Sequence, residues 1–97
     1  MSATEPPRVI ERLRAKLTQA LHPIRLDIVD ESHRHAGHAG SRPGGESHFR
    51  VRIVAAAFEG QSRVSRQRRV YGILAQELAG PVHALALTAL TPEEEEG

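Results

Sequence analysis

Six histidines fall among 97 residues, and three of them share one short stretch, His33-Arg34-His35-Ala36-Gly37-His38. A neutral imidazole offers a lone pair near neutral pH, which makes it a common ligand for zinc, copper, nickel and iron. Structural zinc sites usually want four ligands. This stretch offers three candidates, and the chain has no cysteine to complete the set. The competing reading is a solvated polar loop whose imidazoles meet only water. His83 stands apart, following Gly80-Pro81-Val82 at the mouth of an apolar run. A histidine there either closes the edge of the core, with one nitrogen bonded to backbone, or reaches outward as a ligand. His48, which alternates with Phe49, and His22, in the turn before Pro23, read as structural.

The second chemical feature is positive. Twelve of the thirteen basic residues are arginine, although the net charge is only +1. Arg63, Arg66, Arg68 and Arg69 crowd the start of one helix, where cations oppose the helix dipole. With Arg50 and Arg52 they form a surface suited to phosphate or to an acidic partner, against the alternative of a merely solvated arginine face. Aromatic residues for base stacking are scarce at 3%, which weighs against single-stranded nucleic acid. Catalytic arrangements are hard to assemble. No serine sits in a strand–turn–helix elbow. Gly44 and Gly45 precede a strand rather than a helix, so no phosphate-binding loop is present. Lack of cysteine removes thiol catalysis and disulfides. Binding is expected, and an enzyme is not.

These residues must be positioned by a small fold. Residues 5–21 read as a helix, capped by Thr4, with Pro6 and Pro7 in its first turn and Ile10, Leu13, Leu17, Ala20 and Leu21 as its apolar stripe. Pro23 ends it. Residues 24–29 alternate as a strand, with Ile24, Leu26 and Ile28 on one side. Residues 30–47 form a polar loop of unusual length, and loops of that size are often functional. Phe49, Val51 and Ile53 then alternate with His48, Arg50 and Arg52 in a second strand. A second helix follows, capped by Ser62, with Val64, Val70, Tyr71, Leu74 and Leu78 buried and Gly80-Pro81 as its stop. Residues 82–90 are the last strand. A crossover helix makes the second and third strands parallel, so both should start at the same rim. That rim would bring His83 towards the loop histidines. The expected result is one domain over residues 1–92, a three-stranded mixed sheet with its helices on one face. The acidic block at residues 93–97 is expected as a solvated, disordered tail. No apolar run approaches the roughly 18 residues of a membrane span, and the start lacks a secretory pattern; the cytoplasm is the expected location.

Several segments, in order, resemble the BolA proteins: Asp30-Glu31-Ser32, Glu46-Ser47-His48-Phe49, Phe58-Glu59-Gly60-Gln61-Ser62, Arg66-Gln67-Arg68, and Val82-His83-Ala84-Leu85 followed by Thr91-Pro92. The resemblance implies an α+β fold of the class II KH-like type, αββ(α)αβ, with one short helical turn beyond the elements read above. It also implies a partner. BolA proteins pair with monothiol glutaredoxins, and the heterodimer can hold a 2Fe–2S cluster to which the glutaredoxin contributes its cysteine and a bound glutathione. No cofactor is then expected in the isolated chain. The histidine of the family's Val-His-Ala-Leu motif acts as a ligand, here His83. A second ligand comes from the loop after the first strand. Counting forward from Asp30-Glu31-Ser32 favours His35, with His38 and then His33 as alternates. The loop is longer than usual for the family, and Gln67 and Arg69 depart from its pattern. BolA proteins have also been treated as transcription regulators that bind DNA through the KH-like surface, for which Arg63, Arg66, Arg68 and Arg69 would be the residues. A stand-alone metal-binding role for the loop histidines is a third reading, and a homodimer stays open.

Overall fold

The computed structural model describes residues 8–32 and 47–97. The expected helix start and its Thr4 cap, and the loop histidines His33, His35 and His38, lie outside the described residues. Helix α1 spans Val9–Leu21. Just before it, Arg8 is extended and its N–H donates to the Glu11 carboxylate three residues on, at 3.1 Å. That return contact fixes the boundary. Val9, Leu13, Leu17 and Leu21 form the buried stripe, while Ala20 faces solvent. His22 closes the helix in the left-handed region at φ 47°, one residue before Pro23.

Strand β1 (Arg25–Asp30) pairs antiparallel with β2 (His48–Val54), from Arg25 opposite Val54 to Asp30 opposite Phe49. Strand β3 (Ala84–Leu90) runs parallel to β2, with Ala84 beside His48 and Leu90 beside Val54. The order β1-β2-β3 puts β2 in the middle. Its helix-facing residues Phe49, Val51 and Ile53 are therefore almost fully buried, in one cluster with Leu13, Leu17, Val70 and Leu74. Ile24, expected on the inner side of β1, precedes the strand and is 66% exposed. The extra helical turn implied by the resemblance is present as a 3-10 turn over Ala56–Phe58, which buries Phe58. Gly60 follows at φ +79°, a backbone conformation that glycine adopts without strain.

The second helix differs from expectation in two ways. It is broken at Leu74 into α2 (Arg63–Ile73) and α3 (Ala75–Ala79). Its buried stripe is Arg66, Val70, Leu74 and Glu77, with Val64 outside at 56% exposure. Two of these four residues are charged, and each is buried because another element supplies its counter-charge. Glu77 meets Arg12 and Lys16 of α1 at 2.9 and 2.7 Å. Burial pushes the Glu77 carboxyl up, but hydrogen bonds from Lys16, its own backbone N–H and Arg12 outweigh that and hold it below the usual carboxylate range.

The acidic block is not a disordered tail. It is helix α4 (Pro92–Glu96), where the Thr91 hydroxyl accepts the Glu94 N–H and the Glu94 carboxylate accepts the Thr91 N–H. Acids are favoured at a helix N-terminus. Arginines from the rest of the fold pair with two of its four glutamates: Arg66 grips Glu94, while Arg25 and Arg52 reach Glu95 at 3.0 and 3.1 Å. No helix among the described residues is long and apolar enough to cross a membrane.

Candidate functional site: the histidine rim

The residues that flank positions 33–46, Ser32 and Ser47, are tied together at the rim where β2 begins. Ser32 turns back on the end of β1, its N–H donating to the Asp30 carboxylate at 2.9 Å. Its hydroxyl oxygen accepts the N–H of Ser47 at 2.8 Å and of His48 at 3.1 Å. Glu31 N–H also donates to His48 O, at 2.8 Å. Ser32, Ser47 and His48 are all buried. Asp30-Glu31-Ser32 and Ser47-His48 are thus two halves of one clasp, which holds the entry and exit of residues 33–46 side by side.

The same clasp places His83. Ser47 O accepts the N–H of His83 at 2.7 Å and of Ala84 at 3.2 Å, which starts the parallel ladder. The His83 ring is exposed and rests beside the His48 ring, with centroids 5.2 Å apart and planes tilted by 51°. The Ser47 hydroxyl lies 2.9 Å from His48 Nδ1, so the buried ring is fixed in orientation and forms a wall for the exposed one. His83 therefore has a pinned backbone, a supported ring and an open face, which suit an imidazole ligand for a soft or borderline metal centre.

His48 is buried, as a structural histidine would be, and its ring also lies against that of His83. Its place beside His83 follows from the parallel register, which sets His48 against Ala84. His22 lies in its turn before Pro23, exposed and away from this rim. Among the described residues, no group of three or more His, Cys, Asp or Glu is arranged to hold a metal ion. His83 does not form such a group with other described residues.

The arginine surface is smaller than the sequence suggests. Arg66 is 6% exposed and does not belong to it. Its guanidinium donates to both Glu94 oxygens, to Ala89 O and to Gln61 O, and lies 6.0 Å from the Phe58 ring centroid. The fork of five donors makes arginine suited to joining α2, β3 and α4 at one point. Arg66 and the Thr91 N–H hold the Glu94 carboxyl down to about 2. On the outer face of the sheet Arg50 pairs with Glu31 and Arg52 with Glu95. Arg63, Arg68 and Arg69 remain exposed, and Arg69 also donates to Ala57 O.

Comparison with known proteins gives the family and the fold. The family described as BolA-like protein matches over residues 17–94. BolA-like protein 1 of Mus musculus is 52% identical over 82 residues, covering 84% of this chain and 57% of that protein, so the chain spans little more than half of that relative. The DNA-binding transcriptional regulator BolA of Escherichia coli K12 is 47% identical over 87 residues, covering 90% of this chain and 79% of that protein. Among solved structures, BolA1 from Arabidopsis thaliana superposes with a TM-score of 0.80 at 39% identity, covering 92% of this chain and 98% of that one.

Proposed function

Because this chain belongs to the BolA-like protein family, we propose that it is a non-enzymatic adaptor that binds a monothiol glutaredoxin and co-ligates a 2Fe–2S cluster. The cluster is the cargo of the pair. The observation that carries this reading is the exposed His83 imidazole, pinned through Ser47 at the rim where residues 33–46 leave and rejoin the sheet. The donor set fits. Two-iron clusters accept imidazole in place of thiolate on one iron, and this chain has histidines but no cysteine. Thiolate ligands then come from the glutaredoxin and its glutathione. His83 is the first ligand from this chain and His35 the second, with His38 and then His33 as alternates. His48 and Ser47 hold His83 in place.

The test is to assemble the cluster on the mixed proteins with glutathione and an iron–sulfur source, comparing visible absorption and circular dichroism. His83→Ala and His35→Ala should each change the spectrum of the mixed complex. Wild-type spectra from both variants would remove the ligand assignment.

A second reading is DNA binding, favoured by the exposed Arg63, Arg68 and Arg69 and by the likeness to the DNA-binding transcriptional regulator BolA of Escherichia coli. Arg63→Ala with Arg68→Ala should then weaken duplex binding and flatten its salt dependence by nearly two phosphate contacts. An unchanged salt slope would remove that surface from consideration.

A further inference from the structure

Strand β3 lies at an edge of the sheet, and its sequence lacks the usual guards. Residues 84–90 read Ala-Leu-Ala-Leu-Thr-Ala-Leu, with no charge, proline or glycine. The opposite edge strand β1 carries Arg25, Asp27 and Asp30. Native sheets blunt their edges with charge, proline or bulges, because an open row of N–H and C=O groups templates another strand.

The parallel ladder decides which groups face outward. Ala84 N–H donates to Ser47 O, and Leu90 O accepts the Ala55 N–H. The even-numbered residues therefore bond to β2, while Leu85, Leu87 and Ala89 turn their N–H and C=O groups to the free side. Two of those carbonyls are covered, Leu85 O by the Tyr71 hydroxyl at 3.3 Å and Ala89 O by Arg66 at 3.1 Å. Between them, Leu87 has neither group paired among the described residues. It faces a cleft of about 220 Å³ lined by Arg63, Gln67, Thr88, Ala89 and Leu90. Gln67 also borders a second hollow, with Val64, Arg68 and Tyr71.

The rim of the cleft selects the occupant. Arg63 and Arg68 are exposed and have no ion-pair partner among the described residues. A second copy joined edge to edge about a twofold axis would set one arginine cluster against its duplicate, an unfavourable like-charge contact. An extended segment with carboxylates at alternate positions completes the ladder and neutralises the rim together. We infer that the β3 edge is a strand-addition site for an extended acidic segment of a partner protein. The segment hydrogen-bonds at Leu87, sets carboxylates against Arg63 and Arg68, and places an apolar side chain between them on Val64 and Tyr71. This site is independent of the metal-ligand role of His83.

The probe is the peptide acetyl-Thr-Glu-Thr-Val-Thr-Glu-Thr-amide, which presents Glu, Val and Glu on one face. It is titrated into the ¹⁵N-labelled full chain, with two further versions N-methylated at alternate amides in either register. Binding is expected to shift the amides of Leu85, Leu87, Ala89 and α2, and to protect the Leu87 N–H from exchange. At least one N-methylated register should lose binding, and Arg63→Glu with Arg68→Glu should weaken the parent peptide roughly tenfold. The inference is overturned by absence of binding at millimolar peptide or by shifts confined to other surfaces. It is also overturned by parent-like binding of both N-methylated versions, by self-association through β3, or by an oligonucleotide perturbing that edge where the peptide does not.

Discussion

Replacing Ser32 by alanine tests whether the clasp organises the rim. The Ser32 hydroxyl oxygen accepts two backbone N–H groups, from Ser47 at 2.8 Å and His48 at 3.1 Å. Ser32 is 4% exposed and Ser47 0%, so water has little access to the freed donors. Each buried donor left without a partner costs about 1–3 kcal/mol. The Asp30 contact uses the Ser32 backbone and survives the substitution, so the damage is confined to the two donors. Ser32→Ala should therefore lose about 2–6 kcal/mol, and at about 4–8 °C per kcal/mol for a domain of this size even the lower bound lowers Tm by roughly 8–16 °C. Urea titration should show a lower midpoint with an unchanged m-value. Amide exchange should speed up first at Ser47 and His48 and then at His83 and Ala84, whose N–H groups depend on Ser47 O. A midpoint within about 0.5 kcal/mol of wild type, with Ser47 and His48 still protected, would refute the clasp.

Three further outcomes follow from the paired charges. Arg66→Met keeps bulk but leaves Ala89 O and Gln61 O without their donor and releases Glu94. It should cost about 2–3 kcal/mol and speed exchange at Glu95 and Gly97; a still-protected α4 would contradict the account. Glu77→Ala should cost about 2–3 kcal/mol rather than the full value of a buried pair, because Arg12 and Lys16 are 32% and 34% exposed and can resolvate. A wild-type denaturation midpoint would show that the pair contributes nothing. Acid should act in a defined order. Glu94 sits at about 2 against an ordinary 4.5, so its contribution is complete above 4.5 and is lost only as pH falls towards 2. The Glu94 side-chain carboxyl carbon should keep its ionised chemical shift at pH 3.5, and titration of that signal near pH 4.5 would contradict the Arg66–Glu94 lock.

The apolar periods locate most of the fold. Leu13, Leu17 and Leu21 in α1, and Phe49, Val51 and Ile53 in β2, are buried as their spacing predicts, because only the core face of each element is apolar. The reading fails where burial depends on charge. Arg66 and Glu77 occupy core-facing positions that no hydrophobic pattern reveals, since their partners are 28 and 61 or more residues away in sequence. The acidic block failed for the same reason, because local repulsion is visible in the chain and the distant arginines that cancel it are not. At the rim, the position of His83 beside the start of β2 was legible from the parallel crossover. The neighbouring ring of His48 required the register itself, and the serine clasp required knowing that residues 32 and 47 meet.

The central claim is that a histidine of this chain ligates the shared cluster, and magnetic resonance reads that bond directly. The chain is grown with ¹⁵N-histidine, assembled with unlabelled glutaredoxin and glutathione, and the reduced cluster is examined by pulsed electron paramagnetic resonance. Strong ¹⁵N hyperfine coupling from this chain is expected in the wild type, with its reduction or loss in His83→Ala. Absence of that coupling in the wild type, or an identical spectrum from His83→Ala, would contradict the claim.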